Sequence, residues 1–398
     1  MADVPVTVRP LHRGDNYAAD LDLNQRAFGP ADPAGNEQRL ASVRLSIDGG
    51  RYFGALRGDD VIGTARFLNM VQCWHGRLVP MAGVAGVKVA PEARGAGTGR
   101  ALTAALLAEI EARGYPLSAL YPATAPLYRS FGYEIAGGRY QVTLPGRSLR
   151  ALLPPEAGPE GQDTLRRSDP ADAAEISAVI ERSYSAARAS GPVNHDLATS
   201  TLLLDDEDVY CYLGDDAFVC YGWSAPGEIT VYFAVACTAA ATRAVWSLIA
   251  SHASIAGTVH AVAGPADPIG WLTAEPDARL QRTEEWMLRV ISAPAAIAAR
   301  GFPAGLTASV PLTLADPQFP ANAGAWLLTV SGGRGRLARS PGEPGAGLRL
   351  GPRGLAALYA GTPLATLRMA GLASGGDPAA DAALDAAFAG TPYMLDHF

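Results

Sequence analysis

The residues Val84-Ala-Gly-Val-Lys-Val-Ala-Pro-Glu-Ala-Arg-Gly-Ala-Gly-Thr-Gly-Arg100 decide how this chain folds. Val84 to Val89 read as a buried strand, glycines follow, and Leu102, Leu106 and Ile110 recur at helical spacing before Gly114, a C-cap. A strand that runs through glycines into a helix start is an anion-binding arrangement. Glycines let the backbone approach without a Cβ, and the helix start offers unpaired N–H groups and the positive end of its dipole. Arg94 and Arg100 add formal charge. The plainer alternative is a helix start where glycines only permit tight packing. A P-loop would end in Gly-Lys-Ser/Thr and a dinucleotide fingerprint would follow a first strand; this loop, behind about four strands, does neither.

Working outward, the N-terminal part reads as a strand at Val6 to Pro10, a helix at Tyr17 to Phe28, and strands at Arg51 to Leu56, Val61 to Leu68 and Val84 to Val89. After the helix come a strand at Leu117 to Tyr121, a short helix at Pro126 to Phe131 and a strand at Tyr133 to Leu144. The expected order is β, α, β, β, β, α, β, α, β. Pro and Gly crowd residues 145 to 163, which places a first boundary there. A second block repeats the pattern: a helix at Ala171 to Ala189, strands at Val209 to Leu213, Ala217 to Trp223 and Glu228 to Val235, and a helix at Ala240 to Ala253. Where the first block has its glycine loop, the second has Ala236-Cys-Thr-Ala-Ala-Ala-Thr-Arg243, without a glycine. A repeat that kept the fold and lost the site accounts for this. The last hundred residues change character, with helices at Pro294 to Arg300 and Gly354 to Tyr359, strands at Ser309 to Leu314 and Ala325 to Ser331, and turns across Gly332 to Gly347. They read as a third, small α+β domain.

Composition narrows the chemistry. Apolar residues make up 48% and charged residues 18%, as in globular domains. No run reaches the roughly 18 apolar residues of a membrane span, and Met1 to Leu11 has no signal-peptide pattern, so a cytoplasmic location is expected. The net charge of −7 argues against nucleic acid. It is unevenly spread: residues 1 to 150 carry 17 Lys and Arg against 13 Asp and Glu, and the rest 15 against 26. The basic part is the part with the anion loop. Cys73, Cys211, Cys220 and Cys237 lack metal or disulfide spacing, and each of the six histidines reads as structural; no metal site is expected. Lys88 is the sole lysine, hence the sole candidate for a lysine Schiff base.

Arg94-x-x-Gly97-x-Gly99 after a strand resembles the pyrophosphate-binding motif of the GNAT acetyltransferases, and Leu127-Tyr-Arg-Ser-Phe-Gly-Tyr133 resembles their second conserved segment. Pro265-Ala-Asp-Pro268, Trp286-Met-Leu-Arg289 with Ala295 to Gly301, Leu355 to Gly361, and Ala386-Ala-Phe388 before the aromatic end Phe398 extend the likeness over essentially the whole chain. Together they resemble the Eis (enhanced intracellular survival) acetyltransferases of actinobacteria. That resemblance implies an α/β (α+β) chain of tandem GNAT folds, the second without coenzyme, followed by a sterol-carrier-protein-like α+β domain. The implied division is a catalytic domain at 1–150, a degenerate GNAT-like domain at 151–292 and the sterol-carrier-like domain at 293–398.

The resemblance further implies an acetyl-CoA-dependent N-acetyltransferase acting on small polycationic amines such as aminoglycosides, a cytoplasmic homohexamer without metal. Direct attack on the thioester needs an oxyanion donor, an acid for the thiolate and a base for the ammonium. By that likeness the backbone of Val87, Lys88 and Val89, the loop Arg94, Gly95, Ala96, Gly97, Thr98, Gly99 and Arg100, and the backbone of Ala123 and Thr124 bind the coenzyme. Tyr128 is the implied acid, against the alternative of a core tyrosine with a satisfied hydroxyl. The α-carboxylate of Phe398 is the implied base, against an apolar plug. Phe28, Asp32, Glu37 and Asp396 are candidates for the acceptor pocket, against core packing for Phe28 and solvated charge for the acids. A protein lysine acetyltransferase and a non-catalytic acyl-CoA or lipid-binding protein are the rival functions.

Overall fold

Long apolar strands on either side of the anion loop set the architecture. The computed structural model describes residues 5–16, 19–29, 35–152, 164–206, 208–340 and 347–398. The first unit contains β1 (Val6–Pro10), α1 (Ala19–Phe28), α2 (Asn36–Asp48), β2 (Tyr52–Arg57), β3 (Asp60–Trp74), β4 (Arg77–Val89), α3 (Thr98–Ala112), β5 (Leu117–Leu120), α4 (Ala125–Arg129) and β6 (Glu134–Pro145). The expected order lacked α2, whose sequence Asn-Glu-Gln-Arg-Leu-Ala-Ser-Val-Arg-Leu-Ser-Ile-Asp scatters polar residues round the helix; its buried residues are Val43, Ser46 and Ile47. β3 and β4 also run longer than expected, because Pro80, Gly83 and Gly86 interrupt a pattern that the hairpin nonetheless carries through to His75-Gly76.

The second unit contains β7 (Arg166–Arg167), α5 (Ala173–Ala186), β8 (Ser190–His195), α6 (Leu197–Leu204), β9 (Tyr210–Leu213), β10 (Ala217–Ala225), β11 (Glu228–Ala236), α7 (Ala239–Ala250), β12 (Thr258–Ala263), α8 (Ile269–Leu272) and β13 (Arg279–Val290). β8 and α6 are additions to the expected pattern. β13 lies between β5 and β6, while β6 pairs β12, so each unit completes its sheet with a strand of the other. The result is one 14-stranded sheet. Residues 146–152, read from sequence as linker, form a 3₁₀ turn whose Leu149 and Leu152 enter the second unit's core; residues 153–163 lie outside the described part.

The third unit contains α9 (Ala293–Ala299), β14 (Ala308–Leu314), β15 (Gly324–Ser331), β16 (Arg334–Arg339), β17 (Leu348–Leu350), α10 (Pro352–Tyr359), α11 (Leu364–Met369), β18 (Ala373–Gly375), α12 (Pro378–Phe388) and β19 (Tyr393–Met394). Its own sheet runs β16-β15-β14-β17-β18. β16 falls where turns alone were expected, with Gly332-Gly333 as its hairpin. The unit is locked to the first two by Arg289 of β13, fully buried, whose guanidinium meets both oxygens of Asp316 at 2.7 and 2.8 Å and donates from Nε to Phe131 O.

One segment leaves this third unit. After α12 the chain crosses back to the large sheet, where β19 pairs in parallel with Gly138 and Arg139 of β6. Gly191 of β8 makes the passage possible: it takes φ +104°, and a Cβ on it would stand 2.4 Å from Tyr393 O. The last residues therefore reach the first unit's sheet.

Candidate active site

β4 pairs in parallel with β5 only at Met81, Ala82 and Gly83, yet it continues to Val89 while β5 stops at Leu120. The two strands part beyond Gly83 and leave a wedge with unpaired β4 backbone on one side. A bulge sharpens it: Thr64 faces Lys88 and Arg66 faces Ala85, so Gly86 and Val87 oppose the single residue Ala65, with Gly86 at φ +58°. Bulges of this kind re-aim the strand next to a site. Val87, Lys88 and Val89 follow at this edge.

The Lys88 ammonium does not enter the wedge. It is buried, 2.5 Å from Asp20 Oδ1 of α1, and Tyr52 donates to the same oxygen. Burial alone would raise the Asp20 carboxyl; the Lys88 charge and hydrogen bond, with that of Tyr52, overcome it and hold the carboxyl below its usual range. The side chain ties α1, and with it the half-exposed Phe28, to the bulge. That use of the ammonium leaves no free amine for a Schiff base.

At the wedge's open end α3 begins. Its N-cap is Gly97 at φ +84°, preceded by Gly95 at φ +79°, and no side chain caps the helix. A Cβ on either glycine would meet nothing within 4 Å, so it is the backbone conformation and not crowding that requires them. Ala96 and Arg100 are exposed, and the Arg100 guanidinium lies 5.4 Å from the Phe131 ring. Thr98 is buried and donates to Ala93 O. The exposed N–H groups of this start, flanked by Arg94 and Arg100, suit a pyrophosphate. Ala123 and Thr124 lie exposed across the wedge, where β5 turns into α4.

Tyr128 of α4 is 6% exposed, and burial pushes its phenol up to about 12, so it stays protonated at neutral pH. Among the described residues its hydroxyl has no hydrogen-bond partner. Other buried tyrosines have one: Tyr133 is 2.7 Å from the Ser118 hydroxyl, which itself donates to Ala82 O, and Tyr52 donates to Asp20.

The chain end is held beside this wedge. The Phe398 ring lies 5.6 Å from Tyr121 in an edge contact and would be 2.9 Å from a Cβ on Gly83. Tyr121 donates to Asp396 O at 2.6 Å, Arg139 donates to Leu395 O, and His397 Nε2 stands 3.4 Å from Glu284. Among the described residues no Lys, Arg or His nitrogen comes within 4.0 Å of the terminal carboxylate. Tyr121 follows β5 directly, Arg139 and Glu284 come from β6 and β13, and no sequence pattern marked them as holding the chain end. Of the pocket candidates, Asp396 is at this end, Phe28 and the exposed Glu37 lie on α1 and α2, and Asp32 is outside the described residues.

The second unit has a wedge of its own. β11 pairs β12 only from Glu228 to Val231. There the helix start is closed, since Thr238 caps α7 by accepting from Ala241 N. Tyr393 and Leu395 line a cavity of about 360 Å³ with Val235, Trp246 and Asp267.

A family model of the acetyltransferase (GNAT) domain matches residues 7–136, a second such model residues 196–290, and a sterol carrier protein domain model residues 293–395. A solved GCN5-related N-acetyltransferase from Kribbella flavida is 41% identical and superposes with a TM-score of 0.91, covering 99% of this chain and 98% of its own. The chain belongs to the GCN5-related N-acetyltransferases. Within these it is Eis-like: the N-acetyltransferase Eis of Mycobacterium tuberculosis is 28% identical over 355 residues, 84% of this chain and 85% of the relative. Eis1 from Mycobacterium abscessus, 24% identical, shares the fold with a TM-score of 0.77 over 98% of this chain and all of its own. GNAT acetyltransferases use acetyl-CoA, and the bare helix start beside the wedge fits such a coenzyme. No described helix is long and apolar enough to cross a membrane.

Proposed function

We propose that this enzyme transfers acetyl from acetyl-CoA to amines of small polycations of the aminoglycoside class, at the wedge of the first unit. The carrying observation is that a buried phenol without a partner and an unneutralised chain terminus flank the parting of β4 and β5. The pyrophosphate is held by the helix start from Arg94 to Arg100 and the pantetheine arm by the backbone of Val87, Lys88 and Val89, with Ala123 and Thr124 opposite. Tyr128 donates its proton to the leaving thiolate. The Phe398 carboxylate receives the proton of the attacking ammonium, and a bare anion at the pocket attracts a polycation in the first place. Asp32, Glu37 and Asp396 supply further negative charge, and Phe28 an apolar wall.

The second unit carries no coenzyme in this account: its helix start is capped by its own threonine, and the chain's return to the active site lines its wedge. The third unit serves as the frame that returns the chain end. Its centre holds Arg300 with its guanidinium 4.5 Å from the Tyr359 ring and 4.6 Å from that of Phe388, a packed arrangement that supports scaffolding over lipid carriage. A cytoplasmic hexamer with boundaries near 150 and 292 completes the proposal.

The test is coenzyme A release from acetyl-CoA with a panel of aminoglycosides, simple diamines and lysine peptides. Turnover with the aminoglycosides is expected, several-fold above the diamines. Turnover confined to lysine peptides would replace the acceptor class with protein lysines.

A further inference from the structure

The segment Pro265-Ala-Asp-Pro268 lies in the second unit and carries a carboxylate into that unit's cavity of about 360 Å³, a volume in the range of small-molecule sites. Asp267 is partly buried, and its Oδ1 accepts the Ile269 N–H at 2.9 Å where α8 begins. Among the described residues the other oxygen has no hydrogen-bond partner, and no Lys, Arg or His nitrogen comes within 4.0 Å of the carboxylate. Burial raises the Asp267 carboxyl above its usual range, and the one backbone N–H opposes this only in part. A carboxylate held out of water without a counter-ion is costly, and the bond that starts α8 accounts for one oxygen only. The walls are apolar and aromatic. β11 parts from β12 beyond Val231, and Val235 lines the opening with Trp246 of α7. Tyr393 of β19 lies across Gly264, where a Cβ would stand 3.1 Å from Tyr393 Cε2. Its hydroxyl has no hydrogen-bond partner among the described residues. Burial first, then the nearby Cys73 and Asp267, raise this phenol, so it stays protonated. The other charged or titratable groups on the wall are Arg188, exposed just after α5, His75 of the β3–β4 turn, and Tyr184, which donates to Val193 O.

We infer that this cavity of the second unit binds a small organic ammonium ion with an apolar body, and that Asp267 is its counter-ion. The ammonium donates to the free Asp267 oxygen and to the Tyr393 hydroxyl, while the body lies against Val235 and the aromatic wall of Trp246. An anion placed there would meet the Asp267 charge, and a neutral molecule would leave that charge uncompensated. The site does not depend on the assignment of the first unit's wedge to acetyl transfer. It does adjoin the returning chain: Tyr393 and Leu395 both line the cavity, so an occupant rests against the segment that leads to Phe398.

The test titrates phenethylamine calorimetrically into the full chain, Asp267→Asn and Ala234→Leu, with phenethyl alcohol and phenylacetate as the neutral and anionic counterparts of the amine. Asparagine keeps an oxygen for the Ile269 N–H, so Asp267→Asn is expected to unfold at the wild-type temperature; thermal unfolding and acetyl-CoA titration check both variants. Phenethylamine is expected to bind the wild type and to lose roughly tenfold or more in affinity in Asp267→Asn. The alcohol and phenylacetate are expected to bind the wild type more weakly than the amine by a similar factor. Ala234→Leu, which narrows the cavity from β11, is expected to weaken the amine as well. Phenethylamine filling two sites in the wild type and one in Asp267→Asn would place one amine elsewhere and uphold this site. Amine affinity untouched in either variant, or no binding of the amine to the wild type, would overturn it. The alcohol bound as tightly as the amine would remove the counter-ion role, and phenylacetate bound more tightly would give the cavity to Arg188; either result would overturn the ammonium assignment.

Discussion

A chain lengthened by two residues beyond Phe398 is expected to bind acetyl-CoA like the wild type and to acetylate amines about a hundredfold more slowly, or worse. The reason is positional. The Phe398 ring is wedged between Gly83 and Tyr121, and Tyr121, Arg139 and Glu284 each hold one of the preceding three residues. Any added residue converts the carboxylate to a neutral amide and pushes chain into the wedge. The α3 start proposed to hold the coenzyme's phosphates lies away from that change, so binding and turnover separate. Release of coenzyme A with an amine checks the rate, and calorimetric titration checks the binding. Equal rates in the two chains would leave the terminus a packing element.

Tyr128→Phe is expected to cost about 10² to 10³ in kcat while thermal stability is unchanged or slightly raised. The hydroxyl makes no hydrogen bond to the described residues, so its removal breaks none within the protein. This is the opposite of the outcome at Tyr133, where loss of the hydroxyl breaks a 2.7 Å hydrogen bond to Ser118. Because burial pushes the Tyr128 phenol up to about 12, the acid form is fully present across the neutral range and is lost only as the pH nears that value. An acid-side limb in the rate profile therefore belongs to another group. Measurement of kcat and unfolding temperature on the one variant separates a proton donor from a core residue.

Local pattern carried the first unit's strands, the anion loop and α3, because glycine conformation and helical spacing are written within a few residues. What the sequence hid is non-local. The exchange of β6 and β13 between units follows from pairing, and nothing in either strand's alternation states its neighbour. β8 is broken on paper by Gly191 and Pro192, yet that glycine's φ of +104° is what lets the returning chain pass. Lys88 shows the same limit from the other side: its position in the loop's strand was evident, while the Asp20 partner that turns its ammonium away lies 68 residues earlier. The resemblance of the terminal residues to a family supplied the role proposed for Phe398, which no periodicity could have given.

Calorimetric titration of acetyl-CoA into the full chain and into Arg94→Glu measures whether the first unit alone holds the coenzyme. One site per chain is expected, weakened at least tenfold by the charge reversal beside the α3 start. Two sites per chain, or one site untouched by Arg94→Glu, would put coenzyme somewhere other than the α3 start.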